Sequence, residues 1–267
     1  NPPYLIYVRG ELANLFAPMI SIVGSRKYTS YGSQAASVLA KDLVNAGFTI
    51  ISGMAIGIDT LAHRAALSAG GKTVAVMGSS LDDPHIYPRV NFNLSQEIAG
   101  NGCLLSDYPV ATPALAGNFP ARNRIIAGMS LGTLVVEAGE QSGTLITARM
   151  ALEYDREVFS VPGSIFSAQS VGTHELIKKG AKLVSSVKDI LEELQWENEK
   201  EIKVREPKIP STPEEEALLK IISHEPFHID KIRQLSKLGT AQVSSTLSMM
   251  EMKGWVKNIG GQNYILL

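Results

Sequence analysis

Residues 119–147, FPARNRIIAGMSLGTLVVEAGEQSGTLIT, decide how the rest of the chain is understood. They open on an aromatic and basic cluster in which Arg122 and Arg124 flank Asn123, just behind Phe119 and Pro120. An apolar run then leads into Leu134-Val135-Val136, the composition of a buried strand, which ends at Glu137-Ala138-Gly139. Ser142-Gly143-Thr144 starts a new helical pattern. A strand followed by a Gly/Ser turn and a helix N-terminus leaves backbone N–H groups facing outward, and such a place attracts anions. The stretch therefore predicts a phosphate-recognising surface.

Working outward, short apolar runs alternate with amphipathic ones. Strands are expected at 19–23, 48–51, 73–77, 103–105, 134–136, 157–160 and 182–184, with helices over 31–46, 59–69 and 91–99 between the first four. Strands that alternate with helices imply right-handed crossovers and a parallel sheet covered on both faces, hence an α/β fold. Ligands of such sheets bind beyond the carboxyl ends of the strands. Those ends carry Gly24-Ser25-Arg26, Ser52-Gly53-Met54, Gly78-Ser79-Ser80, Glu137-Ala138-Gly139 and Pro162-Gly163, small residues that keep a cleft open. Residues 1–18 are a lead-in segment in which 5–8 has the pattern of an edge strand.

The main domain is expected over 19–195, followed by a linker over 196–211. The window 187–206 holds four Lys/Arg against seven Asp/Glu, and Pro207, Pro210 and Pro213 follow it. A second unit spans 212–267. Ser211 or Thr212 can cap a helix with Pro213 in its first turn and three acids facing the positive end of the dipole. Helices over 229–235 and 241–253 and a hairpin turning at Gly260-Gly261-Gln262 complete a winged-helix arrangement.

Composition narrows the function. The net charge of −1 offers no global attraction to a polyanion, so a polyanion site must be local. Cys103 is the single cysteine, which excludes an intrachain disulfide and a cysteine-rich metal site. The five histidines lack metal-ligand spacing, and His224 and His228 straddle Pro226, so no metal or other cofactor is expected. No apolar run approaches the ~20 residues that span a bilayer, and a cytoplasmic protein is expected. A chain beginning Asn1-Pro2-Pro3 is expected to be part of a longer one.

At Gly24-Ser25-Arg26 the glycine permits close approach to a phosphate, the hydroxyl can donate and the guanidinium can fork onto the oxygens. An ordinary strand-end turn with a solvated arginine reads the same way. Neither G-x-G-x-x-G nor a P-loop occurs. Asp59 and His63 share a helix face, but no nucleophile with a matching base accompanies them, so a helix-start aspartate and a structural histidine are favoured. Phe119 with Arg122 and Arg124 suits base stacking and phosphate contact. Alternatively, Phe119 anchors the core and one arginine is buried against an acid, with Glu137 a candidate.

Seven motifs together resemble the DNA-processing protein A family. They are GSRKYTSYG (24–32), SGMAIGIDTLAH (52–63), LLSDYP (104–109), FPARNRIIAG (119–128), VVEAGEQSGTLITA (135–148), REVFSVPG (156–163) and GTHELIKKGA (172–181). The resemblance covers roughly residues 1–195 and implies an extended Rossmann-like sheet, followed here by the winged-helix unit. It further implies a non-catalytic homodimer that binds single-stranded DNA and hands it to RecA recombinase in natural transformation. Carried over by motif, Gly24, Ser25, Arg26, Gly53, Ser142, Gly143 and Thr144 would hold DNA phosphates. Phe119, Arg122, Asn123 and Arg124 would stack on bases or meet the backbone. Ile56 stands where the family usually has a basic residue, which implies weaker binding and a shallower salt dependence.

Two rivals have different chemistry. A Rossmann-like nucleotide phosphoribohydrolase shares a Gly-Thr turn, but Thr147 stands where its glutamate would be, and threonine cannot serve as that base. A transcription regulator would read duplex DNA through residues 241–252, which are nearly free of Arg and Lys. That poverty predicts a protein contact for the module, with Met249, Met250 and Met252 suited to its own core or to a partner.

Overall fold

The computed structural model describes residues 2–196, 210–223 and 225–266. Most of the expected linker, 197–209, lies outside the described residues, as does His224. Contacts divide the chain into two units, Asn1–Ile202 and Lys203–Leu267.

In the first unit an eight-stranded sheet runs β1 (Tyr7–Gly10), β5 (Cys103–Ser106), β4 (Thr73–Val76), β3 (Thr49–Ser52), β2 (Met19–Val23), β6 (Gly132–Val135), β7 (Glu157–Ser160), β8 (Lys182–Leu183). All neighbours are parallel except β1, which pairs antiparallel with β5 from Tyr7↔Ser106 to Gly10↔Cys103. The central strands are buried along their whole length, as a sheet covered on both faces requires. A polar residue inside it is paired: the Ser21 hydroxyl donates to Thr133 Oγ1 across β2 and β6 at 2.7 Å.

Helices α1 (Ser30–Asn45), α2 (Ile58–Ser68) and α7 (Val187–Glu193) cover one face with Ile20, Ile22, Ile50 and Phe159. Helix α3 (Phe92–Asn101) packs on Ala75 and Leu104. Helices α4 (Asn118–Met129) and α5 (Thr144–Glu153) bury Ile125, Ile126, Ala148 and Ala151 against Val23, Ile51, Val74 and Val135 on the opposite face. Helix α6 (Val171–Lys178) connects β7 to β8.

From β2 the chain winds outward through β3, β4 and β5, then returns by α4 to β6 on the other side of β2 and winds away through β7 and β8. Connections leaving β2 and β6 therefore diverge to opposite faces, and their carboxyl ends flank a crevice. This is the topological switch point of a doubly wound sheet. Helices α4 and α6 are absent from the sequence expectation. In α4 the buried face includes Arg122 beside Ile125 and Ile126, so a buried cation interrupts the apolar period.

The second unit packs α8 (Pro213–Ile221), α9 (Ile229–Ser236) and α10 (Thr240–Met252) against a sheet ordered β10 (Val256–Asn258), β11 (Asn263–Leu266), β9 (Phe227–His228). Thr212 Oγ1 accepts from the Glu215 N–H at 3.2 Å, with Pro213 at the first position of α8. Its core is Leu218, Ile222, Ile232, Val243, Leu247, Met250 and Val256. Of the three methionines, Met250 is core, whereas Met249 and Met252 are exposed. Among the described residues no helix is long and apolar enough to cross a membrane.

His63, fully buried on α2, ties that helix to β4. Its Nδ1 lies 2.7 Å from Thr73 Oγ1. The threonine hydroxyl donates to the Ile50 carbonyl at 2.8 Å, so the imidazole must donate from Nδ1. Nε2 then carries a lone pair with no partner among the described residues. Burial, with Arg122 nearby, lowers its pKa to about 3, so it is neutral near pH 7.

Two predictions follow from this packing. Phe159→Ala empties a fully buried ring site over Gly132 of β6 and should cost about 3–5 kcal/mol in denaturant unfolding. The unfolded chain takes up a proton at His63 below pH ~6.5 that the folded one refuses, so stability falls as pH drops from there towards 3. Between pH 7 and 5 that contribution is about 2 kcal/mol. A folded His63→Gln variant should therefore lose less stability than the parent over the same interval, and an equal loss would refute the assignment.

Candidate functional site

An open cleft of about 830 Å³ lies at the switch point, walled by the loop after β2, the start of α4 and the start of α5. Gly24, Ser25, Arg26, Phe119, Arg122, Asn123, Ser142, Gly143 and Thr144 all line it. Gly53 and Arg124 do not.

The loop after β2 is built from the inside. The Ser25 N–H donates to the Glu137 carbonyl at 2.8 Å, and the Ile58 N–H donates to the Ser25 carbonyl at 3.2 Å. Ser25 Oγ accepts from the Lys27 N–H at 3.0 Å, closing a tight turn on a largely buried hydroxyl. Ser25 thus shapes the loop that presents Arg26 and Lys27, both of which are exposed. Gly57, with φ +103, allows the approach of α2, since a Cβ there would lie 2.3 Å from the Ser25 carbonyl oxygen. The absent side chain of Gly24 serves packing too: a Cβ would meet Ile58 Cγ1 at 2.6 Å.

Glu137, 2% exposed, joins β6 to the start of α1. Its carboxylate accepts from the Thr29 N–H at 2.9 Å and the Thr29 hydroxyl at 2.5 Å, beside an α-helix N-terminus that favours negative charge. Gly32 is required there, because a Cβ would lie 2.2 Å from Glu137 Oε2. The expectation that an arginine pairs with Glu137 is therefore corrected: its partner is Thr29.

Arg122 is 4% exposed, and its Nη1 donates to the carbonyl of Gly53 at 2.8 Å and to that of Val76. Its charge faces Asp59, whose Oδ2 accepts from the N–H groups of Gly53 (3.1 Å) and Ala55 (3.4 Å). Burial lowers the arginine to about 10 and raises the aspartate, while each opposes the other's shift. The guanidinium thus stays charged near pH 7 and serves the ends of β3 and β4. Gly53 is buried behind it, where a Cβ would lie 2.7 Å from Arg122 Nη2, so it is a packing glycine rather than a cleft surface. Arg124 pairs with Asp107 at 2.6 Å, and neither is among the residues that line the cleft. Of the two arginines of the motif, Arg122 lines the cleft and Arg124 does not.

At the start of α5 three of the N–H groups expected to face outward are taken up locally. The Thr144 N–H donates to Ser142 Oγ (3.3 Å), Leu145 N–H to the Ser142 carbonyl (3.0 Å) and Ile146 N–H to the Gly143 carbonyl (3.2 Å). These three donors are taken up within the turn, and the Ser142 and Thr144 hydroxyls, 3.0 Å apart, remain as polar groups at the wall. Thr147 lies at the cleft floor, 2% exposed.

Phe119 is half-buried, its ring seated on the carboxyl end of β4, where a Cβ on Gly78 would lie 2.9 Å from Phe119 Cδ1. Lys27, Tyr87, Gln141 and Gln169 also line the cleft and were not anticipated. Lys27 and Gln141 lie inside motifs quoted above, whereas Gln169 arrives from the loop after β7 with no local signal. Among the described residues no group of three His, Cys, Asp or Glu could hold a metal ion.

Comparison with known proteins agrees with this architecture. The family model of DNA recombination-mediator protein A matches residues 1–195, and that of the DprA winged helix domain matches 204–262. Protein Smf of Escherichia coli is 38% identical over 266 residues, covering 97% of this chain and 71% of the relative. DNA processing protein DprA of Bacillus subtilis is 43% identical over 199 residues, 74% of this chain and 66% of that one. The chain thus spans about two thirds of the length of such curated relatives. Among solved structures, DNA processing protein A from Streptococcus pneumoniae superposes with a TM-score of 0.69 at 43% identity, covering 72% of this chain and 66% of that one. The Helicobacter pylori protein does so with a TM-score of 0.67 at 34% identity, covering 73% and 88%. With its mostly parallel sheet, its switch-point cleft and its winged-helix unit, this chain belongs to the DNA recombination-mediator protein A family.

Proposed function

We propose that the switch-point cleft binds single-stranded DNA by its backbone and bases, without catalysis. The observation that carries the reading is the convergence of Arg26 and Lys27 with the half-buried Phe119 on one open cleft in a chain of net charge −1. The two exposed cations supply phosphate contacts and the ring supplies sequence-tolerant stacking. The structure of the Helicobacter pylori relative is described as giving insight into a single-stranded DNA binding mode, which favours the same ligand here. Ser25, Gly24 and Glu137 hold the cationic loop, Arg122 and Gly53 hold the opposite wall, and Ser142, Gly143, Thr144 and Asn123 add polar contacts. Arg124 is assigned to structure. Following the family, the protein would act as a cytoplasmic homodimer that protects incoming DNA and loads RecA recombinase during natural transformation.

Hydrolysis of a nucleotide is disfavoured by the chemistry at hand. Thr147 cannot act as a carboxylate base, and the Asp59 carboxylate already accepts backbone N–H groups beside Arg122. The winged-helix unit is assigned to protein contact, since α10 carries neither arginine nor lysine.

Arg26→Ala should leave unfolding unchanged, weaken binding of a poly-thymidine oligonucleotide, and reduce the slope of log affinity against log salt by about 0.7. Unchanged affinity in the folded variant would sink the phosphate role. Arg122→Ala should differ in kind: loss of the buried cation leaves Asp59 uncompensated and should cost about 3–5 kcal/mol of stability. A chain ending at residue 195 should keep its oligonucleotide affinity, and a large drop would assign DNA contact to the C-terminal unit.

A further inference from the structure

Tyr87 sits at the mouth of the cleft and takes no part in the assignments above. It is 52% exposed, although the loop that bears it is firmly held. Ile86 before it is buried in the core with Leu94 and Ile98. Asn91 beyond it donates through Nδ2 to the Met54 carbonyl at 2.9 Å and to Thr60 Oγ1 at 2.8 Å. Asp82 and His85 pair at 2.5 Å earlier in the same loop. An exposed aromatic ring on so anchored a backbone is ordered before any ligand arrives, which lowers the entropic cost of using it.

Its one aromatic neighbour among the described residues is Phe119, with ring centroids 5.6 Å apart and planes inclined at 42°. The geometry limits what the two rings can do together. A base held between them would need roughly 7 Å between parallel planes, twice the ~3.5 Å contact distance of carbon atoms. The rings are closer than that and tilted, so they touch each other and cannot sandwich one base. Both residues line the cleft, and Phe119, seated on Gly78, has little freedom to withdraw.

We infer that Tyr87 and Phe119 form a stepped platform that stacks two successive bases of a single strand, Tyr87 being a ligand-contacting residue in its own right. The inference rests on the single-stranded-DNA reading of the cleft. Stacking is indifferent to base identity, because every base presents a π-face. The Tyr87 hydroxyl is not required by this role, so phenylalanine or tryptophan should replace it.

The test uses the full chain with two probes of equal length, oligo-thymidine and an oligonucleotide made wholly of abasic sites. Tyr87→Ala should weaken oligo-thymidine binding about 5- to 150-fold, the range expected for one stacked base. It should leave abasic binding unchanged, whereas Tyr87→Phe should bind both probes as the parent does. Tyr87→Trp should keep its affinity and show quenched tryptophan emission with oligo-thymidine alone. Parental affinity of Tyr87→Ala for oligo-thymidine would overturn the proposal. So would an equal loss on both probes, which would mean that the ring merely shapes the cleft. Arg26→Ala separates the two levels of argument, since loss of a phosphate contact should weaken both probes alike. If the parent binds neither probe, the single-stranded-DNA reading fails and the platform fails with it.

Discussion

A buried guanidinium holds the cleft together. Arg122 reaches from α4 to the carbonyl groups of Gly53 and Val76, at the carboxyl ends of β3 and β4, with the Asp59 charge beside it. Carbonyls at strand ends have lost their ladder partners and are enclosed here, so they need donors. A cation placed there is itself costly unless paired, and Asp59 supplies the opposite charge while ordering the loop after β3 through the N–H groups of Gly53 and Ala55. Glycine at 53 follows from this arrangement, because any side chain would collide with the pair.

Glu137 does comparable service across the crevice. One residue caps the start of α1 through Thr29 with its carboxylate and fixes Ser25 with its carbonyl. Gly57 then lets α2 close on the same turn from behind. Arg26 and Lys27 are therefore displayed by a loop whose every neighbour is anchored, which suits recognition of a flexible polymer. The entropy of ordering falls on the ligand and not on the protein. In a chain of nearly zero net charge, such local display is how a polyanion is attracted.

Much of this was legible in the sequence because it depends on local pattern. The apolar runs of β2 to β7 have the length and composition of doubly covered strands, and their glycine-rich ends mark one rim. Thr212, Pro213 and the acids behind them mark the start of α8 by capping chemistry alone. Helix α4 escaped because a buried arginine looks polar in sequence and solvent-facing by default. The first turn of α5 misled in part for a related reason: a helix start announces free donors, but Ser142 and Gly143 take up those of Thr144, Leu145 and Ile146 within the turn.

By itself, then, the sequence determined the α/β class, the winged-helix unit, the rim on which ligands gather and the motifs that populate it. These follow from periodicity, capping and turn chemistry, each readable within a few residues. Only the tertiary structure decided which basic residues face outward. Arg26 and Arg122 look alike as letters, yet one projects from a braced turn while the other is enclosed by carbonyls more than forty positions away in the chain. The same holds for Tyr87 and Phe119, which meet only because β4 and α4 deliver their loops to one end of the sheet. Burial and pairing are properties of folded neighbourhoods, and no local pattern encodes them.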